Sequence, residues 1–192
     1  MIQTSIAERP IAERKKIKLW FFDESRFGLK AFFRRRITLC GVKPIAPFND
    51  EYKSFYVFGG FAPEDGSHIQ WEFPCLDADT FQAYVNAFST DTQAVDTHNI
   101  IVMDNAAAHH AEKLKIPENI AFCFLPSYCP ELNPAERVWG YMKDRCANKT
   151  FDSLEELSAY VKKIVMELTN DRITSLTSYD WIMEIINAQL TA

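Results

Sequence analysis

Two short apolar runs, residues 17–22 and 99–103, each stop on an aspartate, Asp23 and Asp104. Runs this compact and bulky read as buried strands, covered by helices on both faces of a sheet. A chain with two of them must build layers around that sheet, and its acidic groups then emerge where the strands end. The remaining pattern agrees. Strands are predicted near residues 37–42, 54–61, 68–73 and 120–125, with turns at Gly41 and Pro44 and at residues 63–66. Phe81, Tyr84, Val85 and Phe88 recur at helical spacing and predict a helix over 79–88. Asn133 and Pro134 open another as N-cap and first residue, its apolar stripe carrying Ala135, Val138, Trp139 and Met142, so Trp139 is assigned to the core. Ser153 and Glu156 form a capping box for a third helix, and a last one covers 179–190.

Strands first, then strand and helix alternating, then helices give an α/β fold with a central mixed sheet and flanking helices. With 192 residues, 47% of them hydrophobic, there is material for one domain and a real core. Residues 17–192 are assigned to it, and residues 1–16, charged around Pro10, to a linker or N-terminal arm. No apolar stretch approaches the roughly 18 residues of a membrane helix, so an intracellular protein without a membrane partner is expected. Five scattered cysteines without a C-x-x-C pair suggest reduced, mostly buried thiols rather than a zinc site.

Three acidic residues stand out: Asp23 and Asp104 after their strands, and Glu136 in the first turn of the helix opened by Asn133. Taken singly, each has a structural explanation as a turn former, a cap or a dipole partner. Taken together, strand ends and a helix terminus can converge at the carboxyl edge of an α/β sheet. Three carboxylates there repel unless cations neutralise them, and an all-oxygen set suits magnesium or manganese. Two such ions, about 3.5–4 Å apart, would clamp the attacking and leaving oxygens of a phosphoryl transfer.

The motifs around these acids, Asp23-Glu24-Ser25, Asp104-Asn105-Ala106 with His109, and the run from Leu125 to Trp139 containing Asn133-Pro134-Ala135-Glu136, resemble the catalytic domain of mariner-related insertion-sequence transposases. The resemblance covers about residues 18–149 and implies a ribonuclease H-like fold. Asp23, Asp104 and Glu136 then correspond to the acidic triad that holds two Mg2+ or Mn2+ ions, with Glu24, Asn105, His109 and Asn133 supporting them. The implied function is metal-dependent nicking and strand transfer of transposon-end DNA. A nuclease of the same fold that does not join ends, and an inactive transposase-derived DNA-binding or interaction module, are the alternatives. His110 is read as incidental.

DNA is the implied partner, acted on by a homodimer. The few residues before Ile17 leave no space for a helix-turn-helix recognition domain, so a separate chain or domain would supply it, or specific recognition has been lost. Cytoplasmic or nucleoid-associated residence follows. The net charge of −5 argues against a nucleic-acid partner only on average, because residues 25–49 carry six cations and no acid. Arg34, Arg35 and Arg36, with Lys143, Arg145 and Lys149 along the helix after Glu136, are the expected DNA-backbone contacts. Solvated surface charge is the alternative for each.

Overall fold

The computed structural model describes residues 16–93, 97–106, 109, 113–127 and 129–190. His110 and nearly all of the expected N-terminal arm lie outside them. Five strands form one mixed sheet: β1 (Lys16–Gly28), β2 (Ser54–Phe61), β3 (His68–Phe73), β4 (Thr97–Met103) and β5 (Ile120–Phe124), in the order β3-β2-β1-β4-β5. The first three are antiparallel neighbours, while β1, β4 and β5 run parallel. Five helices flank the sheet: α1 (Ala78–Gln93), α2 (Ala135–Cys146), α3 (Leu154–Glu167), α4 (Asn170–Thr177) and α5 (Asp180–Leu190). The expected mixed sheet with flanking helices is therefore present.

Side chains alternate across β1 and bury both faces of the sheet. Trp20 and Phe22 pack with Phe81, Tyr84 and Phe88 of α1. On the opposite face Leu19 and Phe21 meet Ile182 and Ile186 of α5, and Phe27 joins Val138, Trp139 and Met142 of α2. Trp139 is core, at 1% exposure.

The expected end of β1 at Asp23 is too early. Its parallel pairing with β4 stops at Phe21 opposite Val102, but its antiparallel pairing with β2 continues to Gly28 opposite Ser54. Asp23 and Asp104 each lie two positions past that last parallel pair, one on a continuing strand and one on the loop leaving β4. Local pattern alone does not separate the end of a strand from the end of one of its ladders.

Residues 37–42 do not form the expected strand. They belong to a long excursion between β1 and β2, paired at its base by Leu29 N to Lys53 O at 3.0 Å and Ala31 N to Asn49 O at 2.7 Å. It turns at Gly41, whose φ of +80° suits glycine. Ile37, Leu39 and Ile45 stand exposed there, and among the described residues no strand or helix covers them. Two smaller corrections concern α2 and the thiols. Pro134 is the N-cap and Ala135 opens the helix, one position later than expected, yet Asn133 Oδ1 still accepts from Ala135 N at 3.1 Å. Only Cys123 is buried, while Cys40 and Cys75 are exposed.

The capping box holds in part: Ser153 Oγ accepts from Glu156 N at 3.2 Å, and the Glu156 carboxylate accepts from Asp152 N, one residue before the cap. Helix α4, unexpected from its short and weakly periodic sequence, is capped by Thr169, whose Oγ1 accepts from Arg172 N at 3.2 Å. Among the described residues, no helix is long and apolar enough to cross a membrane.

Candidate active site

Asp23, Asp104 and Glu136 line one open cleft of about 420 Å³, together with Asn105, Ala106, Leu125, Pro126, Ser127, Cys129, Pro130 and Asn133. Their convergence follows from the topology. Parallel β1 and β4 bring the two aspartates to one level, and α2 begins over the same sheet edge.

Asn133 fixes that last element. It is buried, its Nδ2 donates to Phe22 O at 2.9 Å, and its Oδ1 accepts from the first amide of α2. One side chain thus ties the helix start to the β1 residue beside Asp23, and Glu136 follows on the first turn with its own N–H donating to Asn133 O at 3.2 Å. Asn105 acts similarly between loops, its Nδ2 donating to Leu125 O at 2.6 Å. Leu125 N in turn donates to Met103 O at 2.8 Å, so the exits of β4 and β5 are joined.

On the α1 face of the sheet, behind the cleft, His109 is almost completely buried between Phe22 and Phe81. Its Nε2 lies 2.8 Å from Glu24 Oε1, and its Nδ1 lies 3.1 Å from Asp104 Oδ1. Burial pulls the imidazole pKa down, but the bonds to Asp104 and Glu24 outweigh it and raise it to about 10. A charged imidazole therefore bridges the buried Glu24 carboxylate to the exposed Asp104 carboxylate, whose Oδ1 also accepts from Ala106 N at 3.1 Å. Tyr84, fully buried on the same side, is held well above its ordinary value by burial and by Glu24.

Asp23 behaves oppositely. Burial, then the charges of Glu24, Glu136 and Asp104, push its carboxyl up from 3.8 to about 8. The influence of Glu136 and Asp104 on it records how close the three carboxylates come. Among the described residues, no three His, Cys, Asp or Glu side chains already close on one ion-sized point. The three carboxylates line the cleft without meeting.

A family model described as DDE superfamily endonuclease matches residues 18–158. The chain belongs to this family. The match takes in both aspartates, His109 and Glu136, and it places the chain in an endonuclease superfamily. A relative from Sinorhizobium fredii (strain NBRC 101917 / NGR234), known as uncharacterized protein y4pE/y4sA, is 33% identical over 105 residues, which are 53% of this chain and 76% of that protein. Among solved structures, the Mos1 strand transfer complex superposes with a TM-score of 0.62 at 17% identity, over 92% of this chain and 54% of that one. The Mos1 mariner paired end complex with Mn gives 0.64 at 15% identity, over 92% and 55%. The chain thus spans about half the length of the Mos1 chains, and at such identities the likeness establishes the ribonuclease H-like fold.

The expected DNA contacts separate into three groups. Arg34 is engaged by Asp144, with Nε 2.7 Å from Oδ1, and Arg145 by Glu167 at 3.1 Å and by the Tyr141 hydroxyl at 3.1 Å. Arg35 and Arg36 are exposed on the excursion. Lys143 and Lys149 instead face a second pocket, beside Arg26, Lys30 and Lys53. Sequence reasoning counted Arg26 and Lys30 only as part of a basic strip and passed over Lys53. Gly59, opposite Asp23 in the ladder, was also missed: a Cβ there would lie 2.6 Å from the Trp139 ring.

Proposed function

We propose that residues 17–192 form a metal-dependent DNA endonuclease and strand-transfer domain, a transposase catalytic domain acting on transposon ends. The observation that carries this is that Asp23, Asp104 and Glu136, distant in sequence, line one cleft in a chain of the DDE endonuclease family. The donor set fits hard divalent cations, being all carboxylate oxygen, and Asp23, raised first by burial and then by the neighbouring carboxylates, is a group that a cation would favour as its anion. Asp23, Asp104 and Glu136 would hold Mg2+ or Mn2+. Two bound ions supply a stronger nucleophile from water or a 3′ hydroxyl and stabilise charge on the leaving oxygen.

The chain's own residues set the geometry. Asp23 would serve as a carboxylate ligand once a cation offset the charge of its neighbours. His109 holds the Asp104 carboxylate toward the cleft through one nitrogen while Glu24 orients the ring through the other, the arrangement by which outer carboxylates fix the ligands of a metal. Asn133 keeps the Glu136 turn against β1, and Asn105 keeps the two loops together. The half-open cleft lets a DNA backbone reach the carboxylates from solvent. The Mos1 structures are a strand transfer complex and paired-end complexes, one of them with Mn and another with Mg, which supports action on DNA ends by a pair of chains. A helix-turn-helix chain or domain outside residues 17–192 would then supply end recognition.

Asp104→Asn tests the assignment. The substitution keeps the size of an exposed side chain while removing a charge, so it should abolish magnesium-dependent nicking of duplex DNA while the protein stays folded, with a melting temperature lowered by the loss of one charge partner of His109. Nicking at the wild-type rate by this variant rejects the triad. A strand-transfer assay with pre-cleaved ends then separates a transposase from a nuclease that only cuts.

A further inference from the structure

A basic concavity lies away from the carboxylates. A pocket of about 430 Å³ opens at the base of the β1–β2 excursion, walled on one side by Arg26, Lys30 and Lys53 and on the other by Lys143 and Lys149. Its floor is apolar, with Phe27, Leu29 and Phe151 buried. Glu51 is its only acidic lining residue, and it is already held by Lys53 at 2.6 Å. A concave site carrying five cations and one compensated acid, on a protein of net charge −5, has a defined electrostatic preference for anions.

Several of these cations are tethered rather than free to wander. Lys30 Nζ donates to the Tyr52 hydroxyl at 2.9 Å and lies 4.4 Å from that ring's centre. Arg26 Nε donates to Ser54 Oγ at 2.9 Å, and Lys149 lies 5.4 Å from the Tyr160 ring centre. None of the five is matched to a carboxylate as Arg34 and Arg145 are, apart from Lys53.

The pocket shares β1 and α2 with the cleft. Arg26 lies three positions beyond Asp23 on β1, and Lys143 lies seven beyond Glu136 on α2. Both separations are about 10 Å, at about 3.3 Å per strand residue and 1.5 Å per helix residue. A DNA strand advances about 3.4 Å per nucleotide, so 10 Å is roughly three nucleotides.

We propose that this pocket is a second DNA site, a backbone-phosphate subsite that grips the strand about three nucleotides from the linkage held at the carboxylates. It rests on the nuclease reading and deepens it, by assigning the grip to Arg26, Lys30, Lys53, Lys143 and Lys149 rather than to the arginines of the excursion. The subsite reads no bases, because phosphate contacts fix position without specifying sequence.

The experiment is binding of a random-sequence 30-base-pair duplex in EDTA, followed across a salt series. The double variant Lys143→Gln/Lys149→Gln is compared with Lys163→Gln, an exposed lysine elsewhere on α3, as the charge control. Each lost phosphate contact removes about 0.9 from the slope of log affinity against log salt, so the double variant loses about 1.8, and its drop in affinity between 50 and 200 mM salt shrinks about tenfold. Lys30→Gln/Lys53→Gln, on the opposite wall, should behave alike, which keeps the test sound if one pair disturbs folding. Unchanged slopes in folded variants of both walls overturn the subsite while a metal-dependent nicking activity still stands. A wild-type protein that neither binds the duplex at low salt nor nicks it overturns the nuclease reading and the subsite together.

Discussion

Replacing Asp23 by Asn should stabilise the metal-free protein, although it removes a residue proposed to be essential. The reasoning is linkage. Asp23 has its folded-state pKa raised from 3.8 to about 8, so the folded state holds the proton more tightly than the unfolded chain does. Its contribution is fully present below the unfolded value and is lost as pH climbs through the folded one. By pH 7.5 most of it is gone. At about 1.4 kcal/mol per unit the ceiling is about 5 kcal/mol, and solvent entry and side-chain relaxation at a half-buried group reduce this to roughly 1–3 kcal/mol. For a chain of this size, 1 kcal/mol moves the melting temperature by roughly 2–4 °C, so Asp23→Asn should melt about 3–10 °C higher in EDTA at pH 7.5. Thermal denaturation at pH 7.5 and pH 5 is the assay, and the gap between variant and wild type should shrink by more than half at the lower pH. A variant that melts at or below the wild type at pH 7.5, or a gap independent of pH, refutes the argument. Added Mn2+ should raise the wild type more than the variant, because a ligand bound only by the folded state stabilises it by mass action.

Glu24→Ala removes one partner of the buried His109 and should cost about 3 kcal/mol, measured by urea denaturation at pH 7; a loss below about 0.5 kcal/mol would mean the bridge to Asp104 does not depend on Glu24. Gly59→Ala drives a methyl into the Trp139 ring under Asp23 and should cost roughly 1–3 kcal/mol, with an unchanged denaturation midpoint counting against the packing. Asn133→Ala removes a buried donor to Phe22 O and the acceptor for the first α2 amide, so stability should fall by about 1–3 kcal/mol. Nicking should fall further in that variant than in Gly59→Ala, and equal losses would argue against a positioning role for Asn133.

The two central strands and the acids that follow their apolar runs were readable because burial on both faces leaves short runs dominated by bulky apolar residues. The edge pair β2 and β3 was readable from alternation and turn residues, and its observed bounds match the expected ones. Helices α1 to α3 showed their periodicity in side chains that are now buried. The acidic cluster was legible for a different reason, since topology rather than any local signal brings Asp23 level with Asp104, and the fold order alone implied that. What could not be read is pairing between distant segments. The carboxyl half of β1 continues only because β2 is there to accept it, and nothing within residues 23–28 announces a partner lying about thirty positions ahead.

The misread strand at residues 37–42 makes the same point from the other side. Its composition suits a strand as well as that of β2 does, yet a strand needs a neighbour to share its hydrogen bonds and a face to bury, and the excursion reaches beyond both. The cations follow this logic. Three consecutive arginines catch the eye in a sequence, but contiguity on an exposed excursion makes no concave site, and Arg34 ends up neutralised by Asp144. Lys53 attracts no notice along the chain, and only the joining of β1, β2 and α2 brings it around one pocket with Lys30 and Lys143. Charge that can hold a phosphate in place is a property of the fold, whereas charge that merely accumulates is a property of the sequence.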